Sequence, residues 1–263
     1  MDDVVRTIRA ALAGEADPAR AVGQQAYMKS ALPFHGVAVP RVRQLTRQCA
    51  ARFDLDVAAI EQASRQLFAE AGYREERYAA IALTGLPLAR GRLELVELYA
   101  WQSETGAWWD FTDEIAHRIR VLHDTHPVET ATIVRVWSQA GSFWLRRLAI
   151  LSQLRRRDRT DPALLAELIE PNLDDPEFFI RKAIGWALRD YAKTNPTWVR
   201  AFADSHQLSP LSRREALKHL GGRPGRLKQA GPAGQPTGEP AKPPPWWPGG
   251  GRQLVVSRIS ELD

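Results

Sequence analysis

From residue 1 to residue 222 the apolar side chains recur three and four positions apart, as in DVVRTIRAALAG, RLELVELYAW and ALLAELIE. That is the period of a helix with one buried face. No run alternates apolar and polar residues long enough to predict a strand. Proline punctuates the pattern. Asp17-Pro18, Thr160-Asp161-Pro162, Asp175-Pro176 and Asn195-Pro196 each set a capping side chain before a residue whose fixed φ suits the first helical position. The reading is all-α, with about twelve helices and short loops. Helix pairs fall near 40–70, 74–101, 110–140, 143–170 and 177–207. Such pairs, repeating every ~40 residues, predict a HEAT-like α-solenoid of antiparallel helix pairs with a concave face for a long ligand. A compact helical bundle shares the same periodicity and stays open at this point.

Other classes fall away quickly. At 44% hydrophobic and 25% charged residues the chain can bury a core. No stretch of about 18 apolar residues is free of charge, so no membrane partner is expected. The first residues lack the basic-then-apolar layout of a secretory signal, and the expected compartment is the cytoplasm. One cysteine, Cys49, excludes an internal disulfide framework and a cysteine-cluster metal site. The formal net charge is +5. Residues 1–222 hold thirty basic against twenty-eight acidic side chains, so affinity for a polyanion would require clustering on one surface. At residue 223 the composition turns to Gly and Pro (RPGRLKQAGPAGQPTGEPAKPPPWWPGGG). The expectation is one helical domain over 1–222 and a mostly disordered tail over 223–263.

Few residues suggest chemistry. There is no HExxH, GxxxxGK[ST], strand-linked GxGxxG or GxSxG. His117, His123 and His126 are read as solvated helix-end residues, and no metal or cofactor is expected. Tryptophan stands out, with nine in the chain. Trp109 and Asp113 lie four apart in GAWWDFTDEIAHRI and share a helix face. Trp186 lies near Lys182, Arg189 and Lys193 at helical spacings. An indole beside a carboxylate, with basic residues near, can hold a cation next to a polyanion. The plain alternative makes Asp110 a helix cap and Asp113 a first-turn residue facing the helix dipole.

Six segments together carry a resemblance over residues 20–220: AYMKSALPFHGVAVPRVR, YREERYAAIAL, WWDFTDEIA, FWLRRLAIL, FIRKAIGWALRDYAKTNP and LSRREALKHL. In this order they resemble the bacterial DNA alkylation repair glycosylases of the AlkD type, which are built from HEAT-like repeats. The resemblance implies a monofunctional glycosylase that removes cationic 3-methyladenine- and 7-methylguanine-type bases from double-stranded DNA. It also implies catalytic roles for Trp109, Asp113 and Trp186, with Arg147 on the DNA backbone. Tyr27, Met28 and Lys29 match a segment that lies against DNA, and Arg189 is grouped with the DNA-binding set. Val39 stands where relatives often carry a small hydroxyl residue, so that phosphate contact is not expected. The protein would work as a monomer without a cofactor. Some related repeat proteins lack the carboxylate and only bind distorted or branched DNA, which is the alternative function.

The implied chemistry suits these residue types. A purine alkylated at N3 or N7 is cationic and leaves readily, so the developing charge to be stabilised is on the sugar. An ionised carboxylate can oppose that charge, and indole faces favour it through the ring quadrupole.

Overall fold

The computed structural model describes residues 2–220. The tail and its Trp246-Trp247 pair lie outside the described residues. Within them the chain forms thirteen α-helices: α1 (Asp2–Ala13), α2 (Pro18–Met28), α3 (Val39–Ala50), α4 (Val57–Ala69), α5 (Arg74–Leu83), α6 (Val96–Gly106), α7 (Trp109–Thr125), α8 (Pro127–Ser138), α9 (Phe143–Leu151), α10 (Pro162–Ile169), α11 (Phe178–Tyr191), α12 (Pro196–Ser205) and α13 (Pro210–Ala216). Short 3₁₀ turns occur at Leu93–Leu95, Arg157–Arg159 and Glu170–Asn172. No strand occurs among the described residues.

The caps explain where helices begin. Asp17 accepts from the Arg20 amide, Asp161 from those of Ala163 and Leu164, and Asn195 from that of Trp198, each satisfying an amide that the helix leaves open. Asp175-Pro176 behaves differently. The helix starts later, at Phe178, with Glu177 as its cap. Asp175 instead accepts from the Glu177 amide at 2.8 Å and pairs with Arg146 at 2.7 Å.

The odd-numbered helices form a row. α3 packs on α1 and α5, α5 on α7, α7 on α9, α9 on α11 and α11 on α13. The even-numbered helices from α4 onward form a second layer, with α4 on α5, α6 on α7, α8 on α9 and α12 on both α11 and α13. Each helix thus meets its near neighbours in sequence, the arrangement of an α-solenoid. The core runs continuously between the layers and includes Phe68, Tyr99, Phe111 and Trp137, all essentially inaccessible. Burying side chains of this size contributes about 1.5–3 kcal/mol each.

Two local devices fix the row. At the start of α5, Glu75 is fully buried and accepts three backbone amides, from His35, Gly36 and Val37, at 3.0, 2.9 and 3.1 Å. This ties the segment before α3 to α5. Gly36 has φ +92, and a Cβ there would sit 2.1 Å from the Asp17 carbonyl oxygen, so only glycine fits. Further along, α13 approaches α11 so closely that a Cβ on Gly185 would lie 2.8 Å from the Ser212 carbonyl oxygen.

Candidate active site

α7 organises the site because the three acids of its first two turns, Asp110, Asp113 and Glu114, are each held by an arginine from another helix of the row. Asp110 takes Arg74 of α5 at 2.7 Å and the Tyr78 hydroxyl at 2.6 Å. Asp113 takes Arg147 of α9 through both oxygens, from Nε at 2.8 Å and from Nη2 at 2.9 Å. Glu114 takes Arg43 of α3 at 2.6 Å and Arg118 at 3.1 Å. Asp110 is therefore not the helix cap. Trp108 holds that position in extended conformation and without a side-chain cap bond. Asp110 sits inside the first turn, where the partial positive charge of the helix end favours a carboxylate.

Asp113 is 14% exposed at its side chain and Arg147 only 3%. Burial pushes the Asp113 carboxyl above its ordinary value, the Arg147 charge and hydrogen bonds pull it down, and neighbouring Asp110 adds to the rise. Arg147 also donates through Nη1 to the Phe179 carbonyl at 2.7 Å. One guanidinium thus joins α7, α9 and the first turn of α11. Arg147, which the resemblance assigns to the DNA backbone, is thus engaged within the protein by Asp113 and Phe179. Buried and turned toward Asp113 and Phe179, it holds the carboxylate in place.

Around this pair lie rings that the sequence reading left in the background. Phe179 packs on Trp108 at 6.0 Å, on Trp144 at 5.1 Å and on Phe143 at 6.4 Å between ring centres. The Arg147 guanidinium lies 5.9 Å from the Phe179 ring centre. Trp108 buries its Nε1–H without a hydrogen-bond partner among the described residues. Trp109, one turn before Asp113, is half-buried at the start of α7. Trp186 is 36% exposed, and since it lies seven positions after Phe179 it falls on the same stripe of α11.

The basic residues near Trp186 are paired: Glu215 takes Lys182 at 2.7 Å and Arg189 at 2.6 Å, and Asp190 takes Lys193 at 2.9 Å. Arg189 is thereby tied to α13. At the end of α2, Tyr27 is 63% exposed while Met28 is 7% exposed. Met28 is turned inward by the amphipathic helix and packs in the core, while Tyr27 beside it faces outward. Lys29 is exposed and ends α2 in left-handed conformation, φ 48. His123 also departs from expectation. It is buried within α7 and shares a hydrogen bond with the Ser152 hydroxyl at 3.2 Å, and burial pushes it down to about 4. No group of three metal-binding side chains occurs among the described residues, and no helix there is long and apolar enough to cross a membrane.

The family model for DNA alkylation repair enzymes matches residues 8–220. The chain belongs to that family. Membership gives this DNA alkylation repair protein a role in the repair of alkylated DNA. It is 33% identical to a predicted DNA alkylation repair enzyme from Enterococcus faecalis, with a TM-score of 0.66 over 78% of this chain and 96% of that one. A second structure, smu.31 from Streptococcus mutans UA159, shares the fold at 18% identity, with a TM-score of 0.54 over 69% of this chain and 96% of that one. No curated protein matches the chain. In this repair protein, Trp109, Asp113, Arg147 and Trp186 all come from the odd-numbered row, on α7, α9 and α11.

Proposed function

We propose that the protein is a monofunctional DNA glycosylase that excises cationic N-alkylated purines from double-stranded DNA. The observation that carries this reading is a carboxylate, Asp113, held through both oxygens one helical turn from Trp109. Asp113 opposes the positive charge that develops on the sugar as the N-glycosidic bond breaks, and it orients the attacking water. The charge and hydrogen bonds of Arg147 favour the ionised carboxylate against the burial that opposes it. Trp109 and Trp186 offer their faces to the sugar. The alkylated base leaves with its own positive charge neutralised, so no general acid is assigned to it.

One observation favours a second reading, a repeat protein that binds distorted DNA without chemistry: the charge of Asp113 is already matched by Arg147. Excision separates the two. A 7-methylguanine duplex incubated with the wild type should yield abasic sites, and Asp113→Asn should retain binding while losing most of the excision. Tight binding without abasic sites in the wild type would refute the glycosylase.

A further inference from the structure

The stripe of α7 that carries Trp109 and Asp113 continues through Arg120 to Asp124, since these positions fall within about 60° of one another around the helix. Arg120 lies about 10 Å along the axis from Asp113. Two loops close on this end of α7. In the loop after α5, the Gly91 carbonyl accepts from the Thr125 hydroxyl at 3.2 Å, which sets neighbouring Arg90 beside the helix end. In the segment after α9, Asp124 holds Arg156 at 3.0 Å and Arg159 at 2.5 Å, while Asp190 accepts the Arg155 amide at 2.5 Å.

Arg155 is exposed and takes the left-handed conformation, φ 64, which costs a non-glycine residue about 1 kcal/mol. The side chains of Arg90, Arg120 and Arg155 make no hydrogen bond or ion pair among the described residues, whereas Arg43, Arg74, Arg118, Arg146 and Arg147 along the same row each hold a carboxylate. Burial first, then the like charges of Arg155 and Arg90, push the Arg120 guanidinium below its usual range, more than the nearby Asp124 charge draws it back. A fold that gathers three guanidiniums without a direct ion pair among the described residues, one of them on strained backbone and with nearby Asp124 already holding Arg156 and Arg159, stores repulsion that an anion would relieve.

We propose that Arg90, Arg120 and Arg155 form a phosphate clamp that grips the DNA backbone within about three nucleotides of the one facing Asp113. The clamp rests on the reading that this stripe of α7 faces DNA. It acts without reading sequence, as phosphate contacts do.

The test measures binding of the full chain to a labelled, undamaged duplex by fluorescence anisotropy across a salt series. It compares wild type, Arg120→Gln, Arg155→Gln, the double variant, and Arg135→Gln as a charge-matched control on α8. Each guanidinium that neutralises a phosphate adds about 0.9 to the slope of log affinity against log salt. The double variant should therefore lose about 2 from that slope, each single variant about 1, and Arg135→Gln nothing. Arg155 is exposed, so its variant carries the test if the double variant fails to fold. An unchanged slope in the folded variants, or an equal loss in Arg135→Gln, would each overturn the clamp. Because this binding test needs no lesion, it stands apart from excision: a wild type that leaves a 7-methylguanine duplex intact while its variants lose slope on the undamaged duplex would refute the glycosylase and leave the clamp standing.

Discussion

Replacing Arg147 with methionine keeps an unbranched stem and removes the guanidinium from a carboxylate that is almost enclosed. With charge centres about 4 Å apart and an effective dielectric near 20, the pair attracts by about 4 kcal/mol. Breaking a buried pair by losing one partner costs about 3–5 kcal/mol, since the other charge is left in a poorly solvating site. Arg147→Met also deprives the Phe179 carbonyl of a donor, but that loss recurs in the double variant with Asp113→Asn and cancels in a double-mutant cycle. Urea unfolding at pH 7 of wild type, both single variants and the double should give a coupling on the order of 3 kcal/mol.

The pH dependence has a fixed sign. A carboxyl raised in the folded protein holds a proton that the unfolded chain has released, so its ionisation removes stability as pH rises from the ordinary carboxylate value through the folded one. Without Arg147 the folded value climbs further, and the deficit of Arg147→Met should shrink on acidification. Additive single variants, or a deficit that grows in acid, would refute the pair as the device holding Asp113.

Other consequences can be measured separately. Excision needs ionised Asp113, so the acid limb of its pH profile should lie above the ordinary carboxylate range, and a limb at or below that range would contradict the buried site. His123 is pushed down to about 4, against about 6.5 in an unfolded chain. Stability should therefore be complete above pH 6.5 and fall by about 3 kcal/mol as pH drops toward 4, and His123→Gln should flatten that decline in urea titrations. Ala107 ends α6 at φ 44, so Ala107→Gly should raise the unfolding free energy by about 1 kcal/mol. Gly185→Ala drives a Cβ against the Ser212 backbone and should cost about 1–3 kcal/mol as α13 is displaced, read as a lower melting temperature.

Much of the helical frame was legible because period and caps are local properties. The five expected helix pairs coincide with α3–α4, α5–α6, α7–α8, α9–α10 and α11–α12. Asp175-Pro176 misled because an Asp before Pro has the same local chemistry whether it caps a helix or, as here, closes a turn against Arg146. His123 misled because its partner, Ser152, is contributed by another helix boundary. The Trp109–Asp113 stripe follows from spacing alone. That Arg147 lies beneath Asp113, and that Phe179 supplies both a ring and a carbonyl to the same guanidinium, depends on how α9 and α11 pack on α7. Nothing local to FWLRRLAIL distinguishes an arginine turned inward from one turned to solvent.

The position of Arg147 also limits how much the proposed chemistry can draw from Asp113. A carboxylate about 4 Å from a developing cation, at an effective dielectric near 20, would contribute about 4 kcal/mol alone. A guanidinium about 4 Å behind it opposes roughly half of that, leaving about 2 kcal/mol, or roughly thirtyfold in rate. Asp113 thus cannot carry the reaction by charge alone. The remainder falls to the cationic leaving group, to the water that the carboxylate orients, and to the two indole faces. Trp186 is the more telling of the two rings, because it is 36% exposed and lies outside the buried core. Trp186→Ala should leave the melting temperature nearly unchanged and slow excision about tenfold, the equivalent of one cation–π contact of 1–2 kcal/mol. Single-turnover excision of 7-methylguanine by a folded Trp186→Ala at the wild-type rate would remove the ring from the site and leave too little stabilisation on α7 to account for catalysis.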